Sequence, residues 1–444
     1  MSKLKIAVIG SGITGLACAW LLSKRHKVTL FERNDRLGGH SHTVKVLSPD
    51  GPIDVDIGFI VYNEATYQNL TALFAHLSVN TSRSNMSFAV SLDKGDYEYS
   101  GNGICGLFGQ PLNFINGRHL RLVYDIFRFF RNVGALKVNY LDTSLTLAQW
   151  LNKTGYSRDF MQRHILPMGA AIWSVPSAQI MDFPMTAFAR FFQNHGLLRI
   201  FNRPKWRTVT NGCQNYVKKI VANLDCEIRL GLEIQKITRS SDSIGVYSNA
   251  GVIEDFDHCV LAIHANQALQ VLSDADPIEH SHLSVFKYSD NEAVLHCDHR
   301  VMPQRKHLWS SWNYVSTDIS EKPNITYWMN NLQPLPTKQN YFVTLNPVQQ
   351  FLNDSIIGRY HYSHPIFNRA AIERQKYLWE LQGRRRTWFA GSYFGYGFHE
   401  DGLQSGLAVA ERLGGIERPW KVKNQSDRIH LKHSVTPKTI SESF

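Results

Sequence analysis

Residues 4–15, Leu-Lys-Ile-Ala-Val-Ile-Gly10-Ser-Gly12-Ile13-Thr14-Gly15, decide the fold class of this chain. The first six residues predict a short buried strand, and the apolar pattern over 16–23 predicts a helix. Three glycines at this spacing between a strand and a helix form a dinucleotide-binding fingerprint. Gly10 permits the tight turn, Gly12 lets a pyrophosphate approach the backbone, and Gly15 lets the helix pack closely on the strand.

A second predicted strand, 27–32, ends in Glu32, 20 residues after Gly12. An acidic residue at this distance binds a ribose hydroxyl in dinucleotide-binding domains, where the helix N-terminus faces the phosphates. We place the neighbouring Arg33 in the same site. Glycines at this spacing also occur in ordinary turns, but the strand, the helix and the acid together favour a nucleotide site.

Two further stretches, Arg36-Leu-Gly38-Gly39-His40 and Val55-Asp56-Ile-Gly58-Phe59-Ile60-Val-Tyr62, follow the ribose acid. They resemble a motif of flavoproteins in the amine oxidase, phytoene desaturase and protoporphyrinogen oxidase superfamily. The resemblance implies FAD as the cofactor, with the paired glycines near the pyrophosphate and the Asp-x-Gly segment along the isoalloxazine. The superfamily usually has an arginine where this chain has His40, which implies a weaker or different pyrophosphate contact.

The segment 387–410 resembles the C-terminal flavin motif of the same superfamily. A predicted strand ends at Gly391, and a helix of small residues begins near Gly402, so that its positive end can stabilise negative charge on reduced flavin. The superfamily usually carries an acidic residue at the position of Ser392, where it binds the ribityl chain. We also place Leu403 and Ser405 in this cofactor site. A glycine-rich junction without a ligand is the alternative.

Segments with nucleotide-domain patterns alternate along the chain with segments of a different character. The alternation predicts an α/β protein with a discontinuous, Rossmann-like FAD-binding domain and an inserted α+β substrate domain. In the superfamily the backbone at the position of Ile234 holds the adenine. The predicted segments are 1–75, 205–275 and 381–420 for the FAD-binding domain, 76–204 and 276–380 for the substrate domain, and 421–444 for a loose polar C-terminal tail.

The resemblance covers nearly the whole chain and is closest to a bacterial subgroup of predicted FAD/NAD-binding oxidoreductases. The stretches that carry this closer match are 58–63, 166–174, 206–209 and 396–402. Members of the subgroup often occur beside cyclopropane-type fatty-acid synthases, which points to lipid acyl chains. Flavin N5 accepts the hydride in such enzymes, so the protein's task is positioning, exclusion of water and electrostatic tuning.

His399 is the candidate catalytic residue, because it aligns with an aromatic residue next to the flavin in the superfamily's amine oxidases. A histidine there can polarise a substrate or transfer a proton near neutral pH, and a packing role is the alternative. Amine oxidases also place a lysine near flavin N5. The corresponding stretch, 291–296, has no lysine, and Lys287 lies upstream of it. We expect Asp401 to cap the helix rather than to take part in chemistry.

The formal net charge of +11 points to an anionic partner. The sequence has no zinc-finger spacing, aromatic RNP string or long basic block, so we predict no nucleic-acid partner. Four arginines share the helical pattern 118–131 with aromatic and aliphatic residues, which is typical of a helix at the surface of an anionic membrane; a lid or wall helix is the alternative. The substrate partner is predicted to be a small molecule or a lipid, and the oligomeric state stays open.

The six cysteines are far apart and contain no C-x-x-C pair, which favours a reducing cytoplasm over a disulfide framework or structural metal site. His40 and His42 form an isolated H-x-H, and no metal is predicted there. The sequence therefore predicts an FAD-dependent oxidoreductase that removes hydride from an apolar, lipid acyl substrate. We expect it in the cytoplasm, either free or peripheral at the inner membrane face. A flavin amine oxidase and a non-catalytic flavoprotein that accompanies a lipid-modifying enzyme are the alternatives.

Overall fold

The computed structural model describes residues 3–136, 145–173, 180–194, 197–198, 204–316 and 324–431. The strands are β1 (Lys5–Ile9), β2 (Lys27–Phe31), β3 (Thr43–Ser48), β4 (Gly51–Asp56), β5 (Tyr62–Asn63), β6 (Thr81–Arg83), β7 (Phe88–Leu92), β8 (Tyr97–Ser100), β9 (Trp206–Val209), β10 (Glu227–Arg229), β11 (Ile234–Arg239), β12 (Ile244–Ser248), β13 (Gly251–Phe256), β14 (His258–Leu261), β15 (Lys287–His296), β16 (Trp312–Ser316), β17 (Ile325–Trp328), β18 (Phe342–Leu345), β19 (Ile356–Ile366) and β20 (Thr387–Phe389). The helices are α1 (Ile13–Ser23), α2 (Gln68–His76), α3 (Gly103–Leu107), α4 (Gly117–Ala135), α5 (Leu147–Lys153), α6 (Arg158–Phe160), α7 (Leu166–Trp173), α8 (Met185–Asn194), α9 (Gln214–Ala222), α10 (Ala265–Val271), α11 (Pro277–Leu283), α12 (Met329–Leu332), α13 (Arg369–Gln375) and α14 (His399–Gly414).

A five-stranded parallel sheet, in the order β10-β2-β1-β14-β20, forms the first half of the molecule. Its strands come from the three segments predicted for the FAD-binding domain. Ile6, Ala7 and Val8 of β1 are fully buried, as expected for a central strand covered on both faces. Parallel strands connected through helices confirm the predicted α/β class.

Helices α1 and α14 pack on this sheet with their backbones in close contact. A Cβ atom on Gly406 would lie 2.3 Å from the carbonyl oxygen of Thr14, and one on Gly402 would lie 2.6 Å from the Thr14 hydroxyl. A Cβ on Gly15 would lie 1.8 Å from the carbonyl oxygen of Gly10. Because only glycine permits these approaches, the glycine spacing brings the N-termini of both helices to the same edge of the sheet.

The second half is built on a seven-stranded mixed sheet in the order β19-β15-β18-β17-β16-β7-β8. Helices α4, α5, α7 and α8 share one hydrophobic core with it, in which Phe129, Phe160, Phe188 and Tyr314 are almost completely buried. The edge strand β19 is 11 residues long and pairs with β15. This strand was not among those predicted from the sequence.

The chain after Trp420 differs from the predicted loose tail as far as it is described. Residues 421–431 fold back onto the molecule, where Arg428 and Ile429 are buried. The guanidinium of Arg428 donates to Asp401 at 3.2 Å and to the carbonyl oxygen of Thr66. A buried ion pair therefore anchors this segment. The only feature of the sequence that could have indicated it is a single arginine, Arg428, in a polar stretch. The rest of the predicted tail, 432–444, lies outside the described residues.

Candidate active site

A single cavity of about 1270 Å³ extends from the parallel sheet to the seven-stranded sheet. The residues at or just after the carboxyl ends of four parallel strands, Ile9, Phe31, Ala262 and Gly391, all line it. Ligands of open α/β sheets bind at this edge. The volume exceeds the 300–1,000 Å³ or so of ordinary ligand pockets, which fits a site that holds a dinucleotide and a substrate together.

Most of the predicted site residues meet in this cavity. Those that line it are Gly10, Gly12, Ile13, Thr14, Glu32, Arg33, Gly38, Gly39, His40, Gly58, Phe59, Ile60, Ile234, Gly391, Ser392, His399 and Gly402. Gly15, Leu403 and Ser405 lie behind the wall. Leu403 is fully buried in the core between sheet and helices. The Ser405 hydroxyl accepts from the amide of Gly391 at 3.0 Å and so ties the end of β20 to α14.

The N-terminus of α1 is open to the cavity. Gly12 is its first flanking residue, no side chain caps the exposed amides, and the first turn contains no acidic residue. A Cβ on Gly12 would meet no atom within 4 Å. Unpaired amides and the positive end of the helix dipole, facing open space, fit a pyrophosphate.

Glu32 is held at the end of β2 by four hydrogen bonds. One carboxylate oxygen accepts from the amide and hydroxyl of Ser11, at 2.9 and 2.6 Å. The other accepts from the amide and side chain of Asn34, at 3.0 and 2.7 Å. These contacts fix the carboxylate beside the glycine turn. Because they fill its four lone-pair sites, a ribose hydroxyl that binds there takes the place of the Ser11 hydroxyl or the Asn34 side chain. The sequence motif located the acid but not Ser11 and Asn34, which orient it.

Three imidazoles gather where the superfamily usually has its arginine. The ring of His40 lies 5.6 Å from that of His364 and 6.5 Å from that of His264. Burial lowers the pKa of His40 and of His264 to about 3, and that of His364 to about 4, so all three are neutral at neutral pH. Permanent positive charge comes instead from Arg33 and Arg36, which both line the cavity. The guanidinium of Arg36 also donates to the carbonyl oxygen of Gly39 at 2.9 Å.

His399 lies in the cavity wall, at the first residue of α14. Its ring stacks on that of Phe59, with the centroids 3.7 Å apart and the planes at 10°. Its Nε2 atom lies 3.0 Å from the hydroxyl of Ser41 and 2.9 Å from that of Tyr216, and these two hydroxyls bond to each other. The sequence motifs predicted both His399 and Phe59 as site residues, but they did not predict Ser41 or Tyr216.

The charge state of His399 differs from the expectation of proton transfer near neutral pH. Burial, and then the nearby His40, lower its pKa to about 3, so the imidazole is neutral. The hydroxyls of Ser41 and Tyr216 have one hydrogen each. One of these hydrogens forms the bond between the two hydroxyls, and the other finds an acceptor in this group only if Nε2 of His399 is unprotonated. The neutral ring then carries its proton on Nδ1. His399 is thereby arranged as a hydrogen-bond donor.

Glu400 and Asp401 are structural. Glu400 accepts from the amide and side chain of Asn69 and from the amide of Leu70, and so caps the start of α2. Asp401 is not the capping residue of α14 that we expected, because the helix begins at His399. Asp401 is the third residue of the helix, and its carboxylate accepts a hydrogen bond from the amide of the N-cap residue Phe398 at 2.7 Å. This is the reciprocal half of a capping box, in which a side chain inside the first turn bonds back to the N-cap amide.

The far end of the cavity is apolar and aromatic. Its walls come mainly from α4, α7 and the seven-stranded sheet, and include Phe88, Ile104, Leu107, Ile126, Phe127, Phe130, Met168, Ile172, Trp173, Trp312, Tyr327 and Leu345. Among the described residues, the only charged side chains that line the cavity are Glu32, Arg33, Arg36 and Glu233, all on the nucleotide side. An apolar substrate end follows from this distribution.

No lysine lines the cavity within the described part of the chain. The stretch 291–296, which the resemblance implies as the counterpart of the lysine-bearing strand of the amine oxidases, lies in β15, and none of its side chains reaches the cavity wall. The neighbouring strand β19 does so instead, through His361, Tyr362 and His364. Lys287 is exposed at the start of β15.

The described residues contain no group of three or more His, Cys, Asp or Glu side chains placed to bind a metal ion. None of their helices combines the length and the apolar character that a membrane-spanning helix requires.

The family model of flavin-containing amine oxidoreductases matches residues 13–297. That span is more than half of the chain, so the chain belongs to this family, and the predicted superfamily is confirmed. It is an FAD-dependent oxidoreductase, because the family is defined by its flavin and the cavity offers the pyrophosphate and ribose contacts described above.

Individual proteins give a more limited likeness. A 4,4'-diapophytoene desaturase of Staphylococcus aureus is 51% identical over 43 residues, which are 10% of this chain and only 9% of the desaturase. The structure is similar to that of a fatty acid isomerase from P. acnes that produces CLA, with a TM-score of 0.68, 15% identity, and coverage of 93% and 99% of the two chains. Cyclohexylamine oxidase from Brevibacterium oxydans gives a TM-score of 0.66 and 16% identity over 93% and 100%. At these identities the structural matches show the fold alone.

Proposed function

We propose that this enzyme removes a hydride from an apolar substrate that carries a lipid acyl chain. One observation carries the proposal: the substrate end of the cavity is walled by apolar and aromatic side chains, without a charged group among the described residues. Burying an acyl chain against such walls gains roughly 25 cal/mol for each Å² of apolar surface removed from water. Burying a charged substrate there would cost free energy, because the described residues place no partner charge at this end.

The chain's own residues divide the work between the two ends of the cavity. The open N-terminus of α1 and the fixed carboxylate of Glu32 bind the cofactor. FAD, when bound, supplies the hydride acceptor. The apolar walls hold the acyl chain and exclude water. His399, stacked on Phe59 and held by Tyr216, offers its Nδ1 proton as a hydrogen-bond donor at the side of the cavity.

The amine oxidase alternative has less support from this site. A buried protonated amine is stabilised by a carboxylate near the reacting centre. The cavity's carboxylates, Glu32 and Glu233, lie on the nucleotide side, and within the described residues no lysine takes the position known from the amine oxidases. The desaturase and the fatty acid isomerase among the similar proteins are named for apolar chains, which agrees with the proposal, and cyclohexylamine oxidase is named for an amine.

Acyl-chain binding can be localised with brominated fatty acids, which quench tryptophan fluorescence on contact. Trp173 and Trp312 line the substrate end, and Trp379 lies outside the cavity. We expect quenching in the FAD-loaded protein, and we expect Trp173→Phe and Trp312→Phe each to remove part of it. Trp379→Phe is the matched control and should leave the quenched fraction unchanged. Quenching that neither cavity variant alters would place the lipid elsewhere and contradict the proposal.

A further inference from the structure

An unusually apolar surface surrounds the start of α4. Large apolar side chains are exposed on α3, on the turn 111–115 and along one face of α4. We name this set the apolar rim, and it comprises Ile104, Leu112, Phe114, Ile115, Leu120, Tyr124 and Phe127. Ile115 is 82% exposed and Leu112 is 75% exposed. Clusters of this kind on a protein surface mark contact sites.

The apolar rim is continuous with the substrate end of the cavity. Ile104 and Phe127 are exposed at the surface and also line the cavity. Leu107 on α3 and Phe130 on α4 continue the lining inward. The two parts of the rim are held together, since the ring of Phe108 stacks on that of Phe114 at 4.5 Å. An apolar molecule lying on the rim is therefore next to the cavity.

Positive charge borders the apolar rim. Arg118, Arg121 and Arg131 are exposed on α4, and the last follows Tyr124 by seven residues, which places it on the same helix face. The fourth arginine of the sequence pattern, Arg128, turns inward and donates to the carbonyl oxygen of Gly155 at 2.9 Å.

Negative charge is nearly absent from the same stretch. The only acidic residue in 103–131 is Asp125, which is fully buried. Asp159, from the neighbouring helix α6, accepts from Arg118 at 3.0 Å and offsets part of the charge of that arginine. Arg121 lies 3.4 Å from the buried Asp125. Both guanidinium groups stay accessible in these pairs, since the Arg118 side chain is 72% exposed and that of Arg121 is 50% exposed. Exposed apolar side chains with exposed arginines beside them are the composition of a surface that lies in the headgroup region of an anionic bilayer.

We propose that the apolar rim docks on an anionic lipid bilayer and that the acyl substrate enters the cavity from the bilayer through it. The entry route rests on the proposed function; the docking does not. The rim side chains enter the acyl boundary while Arg118, Arg121 and Arg131 contact lipid phosphates. An acyl chain then passes from bilayer to cavity between Ile104 and Phe127 without crossing water.

Vesicle cosedimentation tests the docking with the FAD-loaded protein. Vesicles of phosphatidylcholine with phosphatidylglycerol are compared with vesicles of phosphatidylcholine alone, at low and high salt. We expect binding to the anionic vesicles that falls as salt rises. Ile115→Ser should weaken it about tenfold, because an apolar side chain no longer enters the bilayer. Arg131→Gln should weaken it about fivefold, the effect of one basic residue near the surface.

Leu47→Ser is the matched control, because Leu47 is 86% exposed but lies on the β3–β4 hairpin, away from the rim. It should bind vesicles as the unaltered protein does. Equal loss in Leu47→Ser and Ile115→Ser, or absence of binding to anionic vesicles, would overturn the docking. Self-association in solution that only Ile115→Ser abolishes, without vesicle binding, would assign the rim to a second copy of the chain and overturn it as well.

The two proposals fail separately. If detergent-dispersed lipid reduces the flavin but the protein does not bind to vesicles, the docking is wrong and the proposed function stands. If the protein binds anionic vesicles but no acyl lipid reduces the flavin, the docking stands while the proposed function and the entry route fail. If the substrate enters through the apolar rim, Ile115→Ser should slow reduction of the flavin by lipid in vesicles but not by lipid dispersed in detergent.

Discussion

The imidazole of His399 lies flat on the ring of Phe59, with the two centroids 3.7 Å apart. The stack joins the start of α14 to the Asp-x-Gly segment, two regions that lie more than 300 residues apart in the chain. Because burial lowers the pKa of His399 to about 3, the stacked ring is neutral. In the proposed function, His399 therefore contributes a hydrogen bond and a fixed position rather than an exchanged proton.

His399→Phe separates these two contributions. Phenylalanine can keep the stack on Phe59 but has no hydrogen-bond donor, so we expect FAD to stay bound while flavin reduction slows by about tenfold to a hundredfold, the effect of losing one strong hydrogen bond. Tyr216→Phe should slow it less, because Ser41 still bonds to Nε2. Stopped-flow reduction rates at several pH values provide the test. The wild-type rate should show no inflection near pH 6.5 from this residue; an inflection there that His399→Phe removes would show that His399 does exchange a proton.

Gly12→Val should abolish FAD binding without unfolding the protein. A Cβ at Gly12 enters open space, and the backbone there is extended, with φ −62° and ψ 175°, which a valine tolerates. The side chain would nevertheless occupy the place of the pyrophosphate. FAD titration together with the melting temperature of the cofactor-free protein checks both parts.

Gly15→Ala is the contrasting variant. Its Cβ would collide with the carbonyl oxygen of Gly10, so we expect loss of folded protein and not only of the cofactor. A Gly12→Val protein that binds FAD as the unaltered protein does would show that the pyrophosphate does not lie at the start of α1.

Acid should destabilise the cofactor-free protein through its buried histidines. Burial lowers the pKa of His164, like that of His40, to about 3, whereas the unfolded chain binds these protons near pH 6.5. Below that pH the unfolded state takes up more protons than the folded state, so stability is lost as the pH falls, by up to about 1.4 kcal/mol per pH unit for each imidazole. The raised pKa of Asp56, about 7, acts in the opposite direction, but fewer carboxyl groups are shifted in this way than histidines.

Urea unfolding of His164→Phe isolates one such histidine. The Nδ1 atom of His164 lies 3.0 Å from the hydroxyl of Tyr99, which also donates to a backbone carbonyl and so keeps a partner in the variant. We expect the free energy of unfolding to fall less between pH 7 and about pH 5 in the variant than in the unaltered protein. An equal or steeper fall would contradict the lowered pKa of His164.

The nucleotide half of the site was predictable because its signals are local. The spacing of Gly10, Gly12 and Gly15 between a strand and a helix specifies backbone geometry within six residues, and Glu32 follows at a fixed distance. The same reasoning misplaced the helix start at Gly402. Since α14 begins at His399, Asp401 stands inside the first turn and not at its cap.

The substrate half was less predictable because its contacts are long-range. Strand β19 was not predicted, because it contains Gly358 and Pro365, which are unusual inside a strand. Its pairing partner β15 also lies about 70 residues away in sequence. As a result, the imidazole of His364 was not foreseen beside His40. The hydrogen bonds of His399 with Ser41 and Tyr216 join three segments that are distant in sequence. Residue spacing along the chain does not predict contacts of this kind.

Anaerobic reduction of the FAD-loaded protein tests the central claim most directly. The flavin absorbance is followed after mixing with an unsaturated or branched acyl lipid in detergent, or with primary amines and polyamines at the same concentration. The uncharged, apolar substrate end predicts that the acyl lipid bleaches the flavin and that the amines do not. Rapid bleaching by a simple amine, with the acyl lipid inert, would contradict the lipid assignment and restore the amine oxidase alternative.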